Sequence, residues 1–287
     1  MLGKVCLITG ATSGIGKSLA KALAAMNATM VLVGRSEARA EATMTEIAVQ
    51  TKNPHIEYLI ADLSRPAEVR RLAEEFRQRY ARLDVLVNNA GAIFGKRQES
   101  ADGIEMTFAL NHLSYFLLTT LLLDALKAGA AALGKPARVV NISAGAHFAG
   151  HLDFNDLQNK RFYNGWRAYA ASKLANVLFT YELARRVDAA QIVTNAVHPG
   201  VVATRFGRGD VGLTSLFFKL SRPFLLSPEK GADTPLYLAT SDEIEGTTSR
   251  YFEKRRAVKS SFTSYDVDSA RRLWDISEHL TAAALTS

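Results

Sequence analysis

Short, nearly continuous apolar runs alternate with longer amphipathic segments along most of the chain. The runs at 5–9, 29–33, 56–60, 84–88, 138–142 and 192–197 predict strands. Most lack a polar alternation, as expected of parallel strands covered on both faces. Helical patterns fill the gaps at 15–26, 37–50, 66–80, 103–127 and 166–187. Strands alternating with helices imply right-handed βαβ units, hence an α/β fold with a doubly wound parallel sheet and helices on both faces. Past residue 200 the rhythm changes. Residues 205–226 mix Arg205, Arg208, Lys219 and Arg222 with leucines and phenylalanines, an insertion with its own apolar face. A surface helix, a flap over a ligand site and a membrane contact are all compatible with it, and the flap is preferred. Ser227-Pro228-Glu229 then supplies an N-cap, a proline in the first turn and an acidic start for a helix to about Ala239. A strand near 247–253 and a C-terminal helix near 266–282 complete a sheet of about seven strands. No linker or repeat interrupts residues 1–287, which read as one domain.

Composition narrows the function classes. With 48% hydrophobic and 22% charged residues the chain is ordinary for a globular protein, and 19 Gly and 7 Pro exclude collagen-like or low-complexity sequence. The single Cys6 allows neither an internal disulfide nor a thiolate zinc site and points to a reducing, cytoplasmic setting. A net charge of +7 admits nucleic acid, an acidic membrane surface or an anionic cofactor, beside a plain solvated basic surface. The basic run 250–259 includes Glu253 and reads as solvated surface, so no nucleic acid partner is expected. Only four residues precede the first strand, so no signal peptide is expected, and the most apolar stretch, 113–126, is short for a bilayer and carries Asp124. A soluble chain without a transmembrane segment is expected. His147, His151 and His198 lack ligand spacing, so no metal site is expected.

Directly after the first strand comes Thr9-Gly10-Ala11-Thr12-Ser13-Gly14-Ile15-Gly16, opening the first helix. Glycines there permit a tight turn and close approach to a pyrophosphate, while the helix N-terminus offers free N–H groups and the positive end of its dipole. The spacing is one residue longer than the usual dinucleotide fingerprint. At the end of the second strand, a carboxylate suits the ribose of NAD(H), whereas an arginine suits the 2′-phosphate of NADP(H). Gly34-Arg35-Ser36 stand there, with no carboxylate before Glu37. Arg35 can fork onto a phosphate, and Lys17 and Arg39 add positive potential. NADP(H) is preferred and NAD(H) stays open.

Tyr169 and Lys173 lie four residues apart in the last of the long helical patterns, so their side chains project only about 40° apart. Asn176 and Thr180 share that stripe. A phenol titrates near 10, and acid/base work near neutrality needs it lowered by roughly two to three units, or about 3–4 kcal/mol of help from positive charge. Lys173 and an oxidised nicotinamide are two sources. Ser143 ends the fifth strand, where ligands meet doubly wound sheets, and its hydroxyl can bond a substrate oxygen. Asn111 interrupts an apolar segment and needs partners if buried. Phe94, Phe148 and the 205–226 insertion suggest an apolar substrate.

Taken together, the turn at 9–16, Asp62, Asn88-Asn89-Ala90-Gly91, Asn111, Ser143, Tyr169 with Lys173, and Pro199-Gly200 resemble the short-chain dehydrogenase/reductase family. They run in family order across residues 4–204. The segments Asn111-His112-Leu113-Ser114-Tyr115, Tyr169-Ala170-Ala171-Ser172-Lys173 and Leu273-Trp274-Asp275-Ile276-Ser277 narrow the likeness to its retinol dehydrogenase and WW-domain oxidoreductase branch. The resemblance implies a single-domain Rossmann fold and transfer of a hydride between nicotinamide and a carbonyl or alcohol carbon. Tyr169 would give or take the proton, Lys173 would lower its pKa and hold the nicotinamide ribose, Ser143 would orient the substrate oxygen, and Asn111 would hold a water. Asp62 and Leu63 would meet the adenine, and Asn89, Ala90 and Gly91 the adenosine ribose. Pro199, Gly200, Val202 and Thr204 would meet the carboxamide. Some members of that branch act on retinoids or other lipophilic carbonyls. Unlike them, this chain is expected to carry neither an N-terminal membrane anchor nor WW modules. A regulator or scaffold that binds NADP(H) without turnover is the alternative. A homodimer or homotetramer through the helices near 103–127 and 166–187 is expected from family habit.

Overall fold

The computed structural model describes residues 1–202 and 226–283. Eight strands form one sheet in the order β3 (Ile56–Ile60), β2 (Thr29–Gly34), β1 (Val5–Thr9), β4 (Val85–Asn88), β5 (Ala137–Ile142), β6 (Ile192–His198), β7 (Arg250–Glu253), β8 (Arg256–Val258). The first seven in that order are parallel, and the order reverses between β1 and β4. That reversal opens a crevice at the carboxyl ends of the strands, where doubly wound sheets take their ligands. The continuous apolar runs have a plain cause. In β1, Cys6 and Ile8 enter one core while Leu7 enters the other; in β2, Met30 and Leu32 are set against Val31 and Val33. Both faces of the sheet are covered, so neither set can be polar.

Helices α1 (Gly14–Ala25), α2 (Glu37–Thr51) and α3 (Pro66–Arg79) follow the first three strands close to their expected places. The helix expected at 103–127 is broken instead. Glu105 accepts the backbone N–H groups of Thr107 and Phe108, which starts α4 (Met106–Phe108) three residues late. A π-helical turn, Ala109–Leu113, then leads into α5 (Ser114–Leu121), and after Leu122 the chain bends by 56° into α6 (Leu123–Leu133). No single helix among the described residues is long and apolar enough to cross a membrane.

β8 is an eighth strand, antiparallel to β7, against about seven expected. The two residues joining them, Lys254 and Arg255, both adopt positive φ, a hairpin conformation normally signalled by Asn or Gly. Without those residues the turn left no mark in the sequence.

Helix α7 (Gly165–Arg186), capped by the Asn164 side chain, is followed after β6 by α8 (Pro228–Thr240) and finally by α9 (Val267–Ala283). Ala270, Leu273, Trp274, Ser277 and Thr281 make the buried stripe of α9, which lies on α5 and α7. Trp274 meets Phe116 edge-on at 4.9 Å and stacks on Phe179 at 5.9 Å. The helices expected to carry self-association are thus partly covered by the chain's own C-terminal helix. Of the 205–226 flap only Leu226 falls within the described residues; its N–H donates to Val201 O at 2.8 Å.

Candidate active site

The glycine turn, β4 and its following loop are built as one piece. Thr9 Oγ1 accepts the backbone N–H groups of both Asn89 and Ala90, at 2.9 and 3.0 Å. Asn89 Nδ2 donates back to Thr9 O at 2.8 Å. At Gly16 a Cβ would lie 2.5 Å from Asn89 Nδ2 and 2.5 Å from Gly10 O. Gly14 has φ +54°, the left-handed region that other residues seldom occupy. Ser13 takes the N-cap position of α1 but makes no capping bond, which leaves the first N–H groups of the helix directed outward. An uncapped N-terminus beside side-chain-free glycines fits the pyrophosphate of a dinucleotide.

Other expected cofactor positions flank this turn. Thr12 lies over Gly34, where a Cβ would meet its Cγ2 at 2.6 Å. Arg35 follows β2, exposed, with no hydrogen bond or ion pair among the described residues. Lys17, by contrast, is paired with Glu46 at 2.6 Å. Asp62 is held by Ser64, whose N–H and hydroxyl both donate to Oδ1, and Leu63 is buried beside it. Past β6, Gly200 has φ +86°, and Val202 packs with Ile15 around Gly231 of α8. Pro199, Gly200 and Val202 therefore border the same edge as the glycine turn. Thr204 lies outside the described residues.

The catalytic candidates converge on α7. Tyr169 and Lys173 are buried, 9% and 2% exposed, and Lys173 Nζ sits 5.6 Å from the centre of the Tyr169 ring. Its ammonium donates to Ile142 O, the last carbonyl of β5, at 3.1 Å. Also 5.6 Å from Nζ is the ring of Tyr115, whose buried hydroxyl has no hydrogen-bond partner among the described residues. A Cβ on Gly91 would stand 3.2 Å from Asn111 Oδ1 and 3.5 Å from Lys173 Nζ, so the bare glycine makes room for both. Burial pushes the Lys173 pKa down to about 7 and the Tyr169 phenol well above its ordinary value. Burial thus moves the phenol opposite to the lowering expected from the sequence, which counted on an oxidised nicotinamide as well as Lys173.

Two candidates are engaged differently from expectation. Ser143 is 1% exposed and its hydroxyl donates to Lys173 O at 2.8 Å, which braces α7. Asn111, fully buried in the π-helical turn, has every side-chain atom committed. Its Oδ1 accepts Ala92 N–H at 2.9 Å, and its Nδ2 donates to Ala92 O at 2.9 Å and Ser172 Oγ at 3.0 Å. No side-chain donor is left for a water. Sequence reasoning missed Ser172, Tyr115 and His112 at this site. It placed Asn176 on the Tyr169 stripe without giving it a task, and that stripe was the usable signal.

A family model described as short chain dehydrogenase matches residues 4–210. The chain belongs to that family. Retinol dehydrogenase 12 of Homo sapiens is 40% identical over 275 residues, covering 96% of this chain and 85% of that protein. Among solved structures, the Pseudomonas aeruginosa RhlG/NADP active-site complex aligns with TM-score 0.70 at 29% identity, covering 88% of this chain and 94% of the other. The 3-ketoacyl-(acyl-carrier-protein) reductase from Brucella melitensis, complexed with NADH, gives 0.67 at 28%, covering 88% and 97%. This short-chain dehydrogenase is thus an α/β oxidoreductase with retinol dehydrogenase relatives. Its structural neighbours carry NADP in one case and NADH in the other, so cofactor choice turns on this chain's own residues.

Proposed function

We propose that the chain transfers a hydride between NADP(H) and the carbonyl or alcohol carbon of an apolar substrate. The observation that carries this reading is the buried Tyr169–Lys173 pair, one turn apart on α7, at the same sheet edge as the uncapped, glycine-lined start of α1. Bound along that edge, the nicotinamide supplies or takes the hydride. Tyr169 holds the proton. Its phenol is kept protonated by burial, which suits donation to a carbonyl oxygen. Lys173 has its charge set near neutrality, so a small change of surroundings alters the field on the phenol. Asn111 and Ser143 act as anchors: one ties the loop after β4 to α7, the other holds α7 to the end of β5.

The Arg35 guanidinium, unpaired among the described residues, supports NADP(H) over NAD(H), since it can fork onto a 2′-phosphate. Support for an apolar substrate comes from Phe148 and Trp166, 59% and 51% exposed, with Trp166 only 6.0 Å from the Tyr169 ring. The retinol dehydrogenase relatives point the same way. A panel of lipophilic aldehydes and ketones with NADPH and NADH tests the proposal in wild type, Tyr169→Phe and Arg35→Ala. Wild type is expected to consume NADPH. Tyr169→Phe should bind NADPH but lose at least about 100-fold in kcat, the scale of a lost general acid. Arg35→Ala should lose the NADPH preference. Turnover retained in Tyr169→Phe defeats the acid assignment, and NADPH binding without turnover in wild type favours a regulator or scaffold.

A further inference from the structure

A buried chain of hydrogen bonds runs from α9 to the floor of the candidate site. Ser277 Oγ on α9 lies 3.0 Å from His112 Nε2, and His112 Nδ1 lies 3.3 Å from Asn176 Oδ1. Asn176 Nδ2 donates to Asn111 O at 2.9 Å and, at 3.5 Å, to Ile142 O, the same carbonyl that takes the Lys173 ammonium. All three linking side chains, Ser277, His112 and Asn176, are at most 1% exposed.

The proton arrangement follows from the partners. Asn176 directs its NH2 group at carbonyl oxygens, so its Oδ1 faces His112 and Nδ1 must carry a proton. Burial holds the His112 pKa down at about 4, so near neutrality the ring is neutral and Nε2 is an acceptor. The Ser277 hydroxyl therefore has two acceptors for its one proton: His112 Nε2 and Leu273 O, the latter at 2.7 Å. When the Ser277 proton turns to Nε2, it holds His112 in the tautomer whose Nδ1–H meets Asn176 Oδ1, which supports the amide orientation set by the carbonyls. Polar residues on the buried stripe of a packing helix need a reason, and this bond supplies one for Ser277.

We propose that Asn176, oriented by His112 and by Ser277 of α9, is a positioning residue that ties the Asn111 carbonyl to the Ile142 carbonyl, the acceptor of the Lys173 ammonium. The inference rests on the proposed roles of Tyr169 and Lys173, but its first test does not need turnover. In protein labelled with 13C at the lysine ε-carbon, the Lys173 midpoint is read directly by NMR. Asn176→Leu removes a donor from the Ile142 carbonyl, and a carbonyl oxygen freed of that donor favours the ammonium. The midpoint should rise by about one pH unit, and Ser277→Ala should move it the same way by less. In the kinetic assay, Asn176→Leu should lower kcat by about tenfold or more and shift its pH profile, with NADPH KM held within about threefold. A Lys173 midpoint unmoved in both variants overturns the proposal. A shift in Asn176→Leu alone overturns the part given to α9. If Asn176→Leu fails to fold, Ser277→Ala decides alone, because it touches neither Lys173 nor Asn111. Wild type without turnover, but with the midpoint shifts present, defeats the functional reading and leaves the positioning role standing.

Discussion

At the scale of single residues, the polar groups nearest the chemistry are mostly bonded into the fold. Ser143 is the sharpest case, with its hydroxyl donating to Lys173 O at 2.8 Å from a position 1% exposed. Ser143→Ala deletes that bond, and a typical net hydrogen bond contributes about 1 kcal/mol. Urea unfolding should show a loss of that size, and a hydroxyl that only braces α7 should cost less than about tenfold in kcat. A loss of about 100-fold or more at unchanged stability would show that the hydroxyl turns to the substrate when ligand binds. Sequence spacing made Tyr169, Lys173, Ser143 and Asn111 visible as a set. It could not show where each hydrogen points, because a hydroxyl or amide partner is set by elements distant in the chain. Asn111, for example, is matched by Ala92 and Ser172, the latter 61 positions away.

Among the elements, α9 carries most of what the sequence left open. Its stripe of Ala270, Leu273, Trp274, Ser277 and Thr281 is buried on α5 and α7, and Trp274 also takes Arg186 over its ring at 4.3 Å and donates Nε1–H to Glu278 at 2.9 Å. Trp274→Ala opens a large cavity between three helices, a change that typically costs about 3–5 kcal/mol. Chemical unfolding should find a loss in that range. A loss under about 1 kcal/mol would mean that α9 contributes little to holding α5 and α7. The strands and the helices α1, α2, α3 and α7 were legible because both sheet faces are apolar and the periodicities are long. The break at the π-helical turn was not, since Ala109, Leu110 and Leu113 are apolar around Asn111 and His112 whichever way the helix winds. Such widened turns often mark functional sites, and this one carries Asn111. Likewise β8 stayed hidden behind a left-handed turn made by Lys254 and Arg255.

Across the whole molecule, the buried bases share one direction. Burial lowers the pKa values of His112, His147, His198 and Lys173, so the folded chain holds fewer protons than the unfolded one over a wide range. For Lys173 the folded value is about 7 against an ordinary 10.5. Between those limits the unfolded state binds the extra proton, and stability must rise with pH, by up to about 1.4 kcal/mol per pH unit from this one group. The histidines act the same way below their ordinary value of 6.5. Buried phenols act in the opposite sense at the alkaline end. Tyr169, Tyr251 and Tyr115 are all pushed above their ordinary value of 10, so the folded state keeps protons that the unfolded chain releases. The ligand-free protein should therefore gain Tm from pH 6 upward and turn over near pH 10. The net charge of +7 falls over the same interval and relieves self-repulsion, so the rise alone does not identify its source. Lys173→Met separates the two: it removes the buried base and leaves the surface charge as it was. Thermal unfolding of this variant should follow a clearly shallower slope between pH 7 and 10 than wild type. Parallel slopes would mean that Lys173 is solvated and charged in the folded chain, and would remove the ground for a near-neutral lysine beside Tyr169.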